Sequence, residues 1–94
     1  MTVHAVVLIQ CEIDTIPEAA KAIADIDGVS EVYSVAGEVD LVAIVRVAEH
    51  DDLASVIPGG IAKVAGVERT ETLIAFQVYS QHDLDRMFSI GFES

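Results

Sequence analysis

Apolar positions change their spacing several times along the chain, and each change marks an element. His4 to Cys11 (HAVVLIQC) is a β-branched apolar run with polar ends, which predicts a buried strand. Ile16, Ala19, Ala20, Ile23 and Ile26 then follow helical spacing as far as Gly28, a residue suited to ending a helix. Ahead of them, Thr15-Ile16-Pro17-Glu18 has the order of a capping box, with Pro17 in the first turn, where its missing amide costs no helical bond. Val29 to Ala36 (VSEVYSVA) predicts a second strand with Val29, Tyr33 and Val35 in one alternating register. Gly37-Glu38-Val39 is a tight connection into Asp40 to Val47 (DLVAIVRV), whose nearly continuous apolar character predicts a central strand. Leu53, Val56, Ile57, Ile61 and Val64 keep helical spacing across Pro58-Gly59-Gly60, so a second helix is expected with a kink or break at that tripeptide. Gly66 closes it, and Val67 to Tyr79 (VERTETLIAFQVY) reads as a long fourth strand.

The resulting order is strand, helix, strand, strand, helix, strand. Gly28-Val29 and Gly66-Val67 echo one another, each at a helix-to-strand junction. A repeated split βαβ unit of this kind predicts an α+β, ferredoxin-like βαββαβ fold: a four-stranded antiparallel sheet with two helices on one face. The other sheet face is left open, and in so apolar a chain it is expected to pair with a second subunit, giving a dimeric α+β barrel. The domain is expected to span residues 1–79. Residues 80–94 form a tail in which Leu84, Met87 and Phe88 either make a helical turn or pack on a neighbouring subunit.

Length and composition narrow the function classes. Ninety-four residues, 52% apolar and 22% charged, make one folded domain rather than two, and not a disordered segment. The net charge of −11 repels phosphate, which argues against direct contact with nucleic acid or an anionic membrane. One cysteine cannot form an internal disulfide, and no stretch reaches membrane-spanning length or the form of a signal peptide; a cytoplasmic location is expected. His4, His50 and His82 lie far apart with no metal-ligand spacing, and nucleophile-elbow, phosphate-loop and dinucleotide motifs are absent. No catalytic residue, metal or cofactor is assigned, and Cys11 is read as a small packing residue.

Two segments offer binding chemistry. In Gly37-Glu38-Val39-Asp40 the glycine supplies an unusual backbone angle and the aspartate can satisfy turn amides. The same turn could receive a carboxylate on its exposed amides and an ammonium on Asp40, the two charges of an α-amino acid. In Glu68-Arg69-Thr70-Glu71-Thr72, strand alternation sets Thr70 and Thr72 on one face, either as ordinary strand threonines or as a row of hydroxyl donors to a ligand.

With Gly28-Val29-Ser30-Glu31-Val32-Tyr33, Gly37-Glu38-Val39-Asp40-Leu41 and Gly66-Val67-Glu68-Arg69-Thr70-Glu71-Thr72 in this order, the chain resembles the effector-sensing (RAM) domain of the Lrp/AsnC transcriptional regulators over roughly residues 3–79. The resemblance implies dimers formed through the sheets, further assembly often to octamers, and amino-acid effectors held between dimers near the GxxD turn. Carried over by position, Gly37 and Val39 would offer backbone contacts and Asp40 would hold the ligand ammonium. Tyr33 and Ser34 lead into the turn, and Thr70 and Thr72 match polar fourth-strand positions. Two departures stand out. No helix-turn-helix segment precedes the first strand, so the chain looks like a stand-alone member, acting through ligand-dependent assembly and through mixed assemblies with full-length Lrp/AsnC regulators. Pro58-Gly59-Gly60 also interrupts the second helix. Two other functions remain open at this point. A small dimeric α+β barrel enzyme of monooxygenase or isomerase type would need polar residues in a cavity where this sequence offers chiefly Val, Ile and Ala. A ligand-free assembly scaffold would need none.

Overall fold

In the computed structural model, which describes residues 2–79, β1 (Val3–Cys11) buries every second residue. Ala5, Val7, Ile9 and Cys11 turn inward, while Val6, Leu8 and Gln10 lie on the opposite face. β1 pairs antiparallel with β3 (Leu41–Val47) on one side and β4 (Val67–Ala75) on the other, and β2 (Val29–Ser34) pairs with the outer side of β3. The sheet order is β2-β3-β1-β4, so the two most apolar strands occupy the centre. β3 contributes Leu41, Ala43 and Val45 to the same inward face.

Two helices cover that face. α1 (Ile16–Ala24) sends in Ala19 and Ile23, and α2 (Asp52–Val56) sends in Leu53 and Val56. Together with Ile57 and Ile61 they make one buried apolar cluster with the strands, and no charged or polar residue is buried among those described. Removing an apolar surface of this kind from water is the main favourable term in folding. The fold is the ferredoxin-like βαββαβ arrangement. Gly28 and Gly66, the two junction glycines, both have positive φ (100° and 94°), which accounts for their echo in the sequence.

Several elements differ from expectation for identifiable reasons. The capping box does not form: the Thr15 hydroxyl donates to the Glu12 carbonyl (2.9 Å) within a short 3-10 turn, Ile13–Thr15, that precedes α1. β2 stops at Ser34, and a register shift between Val29 and Glu31 changes its phase. Val29 and Val32 therefore pack on the core, while Tyr33 and Val35 are exposed, so the alternation expected for Tyr33 does not hold. Of the kink or break expected at Pro58-Gly59-Gly60, the break is what forms. α2 ends at Val56, and the chain resumes as a 3-10 turn, Ile61–Lys63, that still delivers Ile61 to the core. β4 ends at Ala75, short of Tyr79. The helical turn considered at Leu84, Met87 and Phe88 lies outside the described residues.

α2 is too short to shelter all of β4, the edge strand. From Glu71 to Ala75 every β4 residue is exposed. On the helix-free face, Tyr33 and Leu73 are each 48% exposed, flanking half-buried Val6, Leu8, Val42 and Ile44. Among the described residues, these exposed and half-buried apolar side chains make the helix-free face a candidate contact surface.

Candidate functional site

The chain between β2 and β3 reverses over Val35 to Asp40, and Gly37 makes the reversal possible with φ 147°. The Val35 amide donates to the Asp40 carbonyl (3.0 Å), closing the turn. Asp40 then ties the turn to β1 twice. Its amide donates to the Ile9 carbonyl (2.9 Å), and its carboxylate Oδ2 accepts the Cys11 amide (2.8 Å). Asp40 thus extends the β1–β3 ladder past its last paired residues, Ile9 and Leu41. From the helix-free face, Gln10 Nε2 donates to the Glu38 carbonyl (2.9 Å), drawing the turn down over β1.

This folding-over forms a cleft of about 140 Å³ lined by Leu8, Gln10, Glu38, Val39, Arg69, Thr70 and Glu71. Register explains its composition. Glu71 lies opposite Leu8 and Arg69 opposite Gln10, all on the helix-free face, with Glu38 and Val39 arriving from the turn. The volume is well below the ~300–1,000 Å³ of drug-sized pockets. It suits the head group of a small molecule. A guanidinium there can take a carboxylate by two parallel hydrogen bonds, and the two glutamates can accept an ammonium. Leu8 and Val39 supply apolar walls.

Not all of the expected site residues meet here. Val39 and Thr70 border the cleft, and Gly37 and Asp40 shape the turn above it. Thr70 runs along the cleft between Arg69 and Glu71, yet its register partner is the core residue Ile9. Thr72, opposite Val7, stands on the helix side and lines a different groove with Leu53, Ile57, Pro58 and Ile74. Tyr33 and Ser34 are on β2, at the sheet edge away from β4. Hydrogen bonding to Glu31, with smaller help from desolvation and the Glu31 charge, holds the Tyr33 phenol above its ordinary range. Gln10, Glu38, Arg69 and Glu71 were missed by sequence reasoning, although the same alternation that pairs Thr70 with Thr72 pairs Arg69 with Glu71 on the other face.

The helix-side groove is larger, about 440 Å³, and largely apolar, with His50 and Asp51 at its lip. It exists because α2 ends before covering Thr72 and Ile74. Cys11 is buried, and burial first, then the Asp40 and Glu68 carboxylates, push its thiol above the ordinary range, so it stays protonated at neutral pH. Among the described residues no group of three His, Cys, Asp or Glu side chains converges to hold a metal, and no helix is long and apolar enough to cross a membrane.

A ferredoxin-like sheet with one helix-covered face and a folded-over β2–β3 turn places a small charged cleft at one end of the helix-free face. Comparison with known proteins identifies the family. The chain belongs to the Lrp/AsnC family: residues 4–85 match the model of the Lrp/AsnC ligand binding domain. It is 37% identical over 75 residues to an uncharacterised HTH-type transcriptional regulator of Pyrococcus furiosus, a match covering 77% of this chain and 50% of that regulator. The chain thus spans about half the length of that curated relative. In structure it resembles a protein of Thermus thermophilus (44% identity, TM-score 0.79, 84% of this chain and 99% of that one). It is also similar to Escherichia coli AsnC (25% identity, TM-score 0.77, 84% of this chain and 54% of that one).

Proposed function

We propose that this domain binds a free amino acid in the cleft under the β2–β3 turn and that binding acts through assembly. The observation that carries the reading is the placement of Arg69 with Glu38 and Glu71 on one small cleft. An α-amino acid presents a carboxylate and an ammonium a few ångströms apart, the complement of that arrangement. Asp40, one oxygen committed to the Cys11 amide, keeps a second for a ligand ammonium, and the backbone at Gly37 and Val39 can meet a carboxylate. A regulator of the same fold from Neisseria meningitidis, 11% identical, has been crystallised as its L-Met complex. It supports the fold's capacity to hold an amino acid and leaves the choice of ligand open.

Assembly follows from the sheet. The helix-free face bears exposed Tyr33 and Leu73 beside half-buried Val42 and Ile44, and a second copy would cover them. Tyr33, Ser34 and Thr72, which one chain does not bring to the cleft, would join a ligand only from a neighbouring copy in a higher oligomer such as an octamer. The same surfaces would admit full-length Lrp/AsnC regulators into mixed assemblies. Net charge −11 makes direct operator contact by this domain unfavourable, so its influence on transcription would run through such partners. A ligand held between dimers stabilises the assembled state by an amount that grows with the logarithm of its free concentration relative to its dissociation constant.

The test is light scattering and calorimetry on the full chain with a panel of L-amino acids at millimolar concentration. One or a few should release or absorb heat saturably and shift or sharpen an assembled mass. A mass and heat indifferent to every amino acid would leave a scaffold, and turnover of a small substrate without added cofactor would return the enzyme reading.

A further inference from the structure

The charges around the cleft do not balance, and the imbalance bears on which amino acid it takes. Arg69 is one of only five Lys and Arg residues in the chain, and it sits on the cleft with Glu38 and Glu71. Asp40 lies at the same end of the sheet, fixed there by the Cys11 amide, and Glu68 immediately precedes Arg69 at the register shift of β4 against Gln10 and Cys11. At least four carboxylates therefore share this end of the sheet with the Arg69 guanidinium. A neutral zwitterion uses Arg69 for its carboxylate and one carboxylate for its ammonium. At least Glu38 or Glu71 is then left on the cleft wall without a partner, in the field of an acidic chain that concentrates cations and repels anions.

From this we infer that the cleft selects an amino acid with a cationic side chain, of the lysine or arginine class; the inference rests on the amino-acid reading of the site given above. Arg69 and Glu71 are two residues apart on one strand face, ~6–7 Å along the chain. A ligand whose carboxylate is held by Arg69 can therefore carry a second positive charge past the reach of its own head group to the remaining glutamate. The small volume is consistent with this arrangement. The head group fills the cleft, and an extended, flexible side chain runs along its open rim, where charge rather than shape discriminates. A glutamate or aspartate ligand would set a third carboxylate against the two already lining the wall.

The experiment compares L-lysine with L-norleucine, which has the same four-carbon chain without the ammonium, together with L-arginine, L-glutamate and cadaverine, by calorimetry on the full chain. Lysine and arginine are expected to bind about fivefold more tightly than norleucine, the range of a single exposed ion pair. Glutamate should be weakest, and the lysine advantage should shrink as salt is raised. In Glu38→Gln/Glu71→Gln the lysine-to-norleucine ratio should fall towards one. In Asp25→Asn/Asp27→Asn, which removes the same two charges at the end of α1, the ratio should persist. Norleucine binding as tightly as lysine overturns the cationic selectivity while leaving the amino-acid reading intact. A ratio that falls equally in both double variants, or cadaverine binding as well as lysine, also overturns it, since either marks general attraction of cations to an acidic chain. Binding by none of the amino acids fails the underlying reading and this one with it.

Discussion

The Asp40 carboxylate accepts the Cys11 amide at 2.8 Å, at the point where β1 has run out of β3 partners. One residue therefore serves both the sheet and the turn that roofs the cleft. Asp40→Ala leaves a part-buried amide without an acceptor, and the expected cost is about 1–3 kcal/mol, read from urea denaturation midpoints. Asp40→Asn keeps an oxygen that can accept the same amide and should restore most of that stability. It removes the charge, so amino-acid affinity should stay reduced in a folded protein. A variant of normal affinity would remove Asp40 from the site. The double duty was only half legible in the sequence. An aspartate closing a tight turn is visible there, but its bond to a residue 29 positions away depends on β1 and β3 lying side by side.

The β2–β3 turn and the broken second helix depend on glycine for different physical reasons. At Gly37 an added Cβ would meet nothing within 4 Å, but φ 147° is a conformation that side chains disfavour. Gly37→Ala should cost about 1 kcal/mol of backbone strain and weaken amino-acid binding by letting the turn relax away from Gln10. At Gly60 an added Cβ would lie 2.7 Å from the Val56 carbonyl oxygen and close to Ile26. Gly60→Ala should therefore be the more destabilising of the two, about 1–3 kcal/mol by thermal or chemical unfolding, because backbone has to move to admit the methyl group. Equal costs would contradict this account. Pattern reading found both punctuation points, yet it left open whether the second kinks one helix or ends it. Apolar spacing persisted across it because Ile57 and Ile61 reach the core even though the helical hydrogen bonding has stopped.

For the whole molecule, the apolar helix-free face is the surface on which the proposed assembly depends. Leu73 stands on that face opposite Val6, near the middle of the exposed stretch of β4. Leu73→Asp should leave the circular dichroism of the single chain intact, since the side chain is 48% exposed and lies outside the buried core cluster. It should lower the mass seen by light scattering towards that of one chain, because a charge at the centre of a would-be interface has to be desolvated on assembly. An unchanged assembled mass would move the interface elsewhere, with the apolar groove beside α2 the next surface to test.

Hydrophobic spacing by itself determined the order of the strands and helices, the glycine junctions, the central place of β3 and the GxxD turn. Each is a local property, set by side-chain periodicity and backbone sterics over a few residues. Tertiary structure decided what no local window contains. It set the phase of β2, which a bulge shifts so that Val32 rather than Tyr33 faces the core. It placed Thr72 on the helix-side groove, away from the cleft, by assigning β4 faces through pairing with β1. It also brought Glu38 to Arg69 and Glu71, because a turn between β2 and β3 can fold over β1 to reach β4 only when β1 lies between β3 and β4. The cleft is a product of strand order, in which the two most apolar strands, β3 and β1, take the positions with a neighbouring strand on each edge.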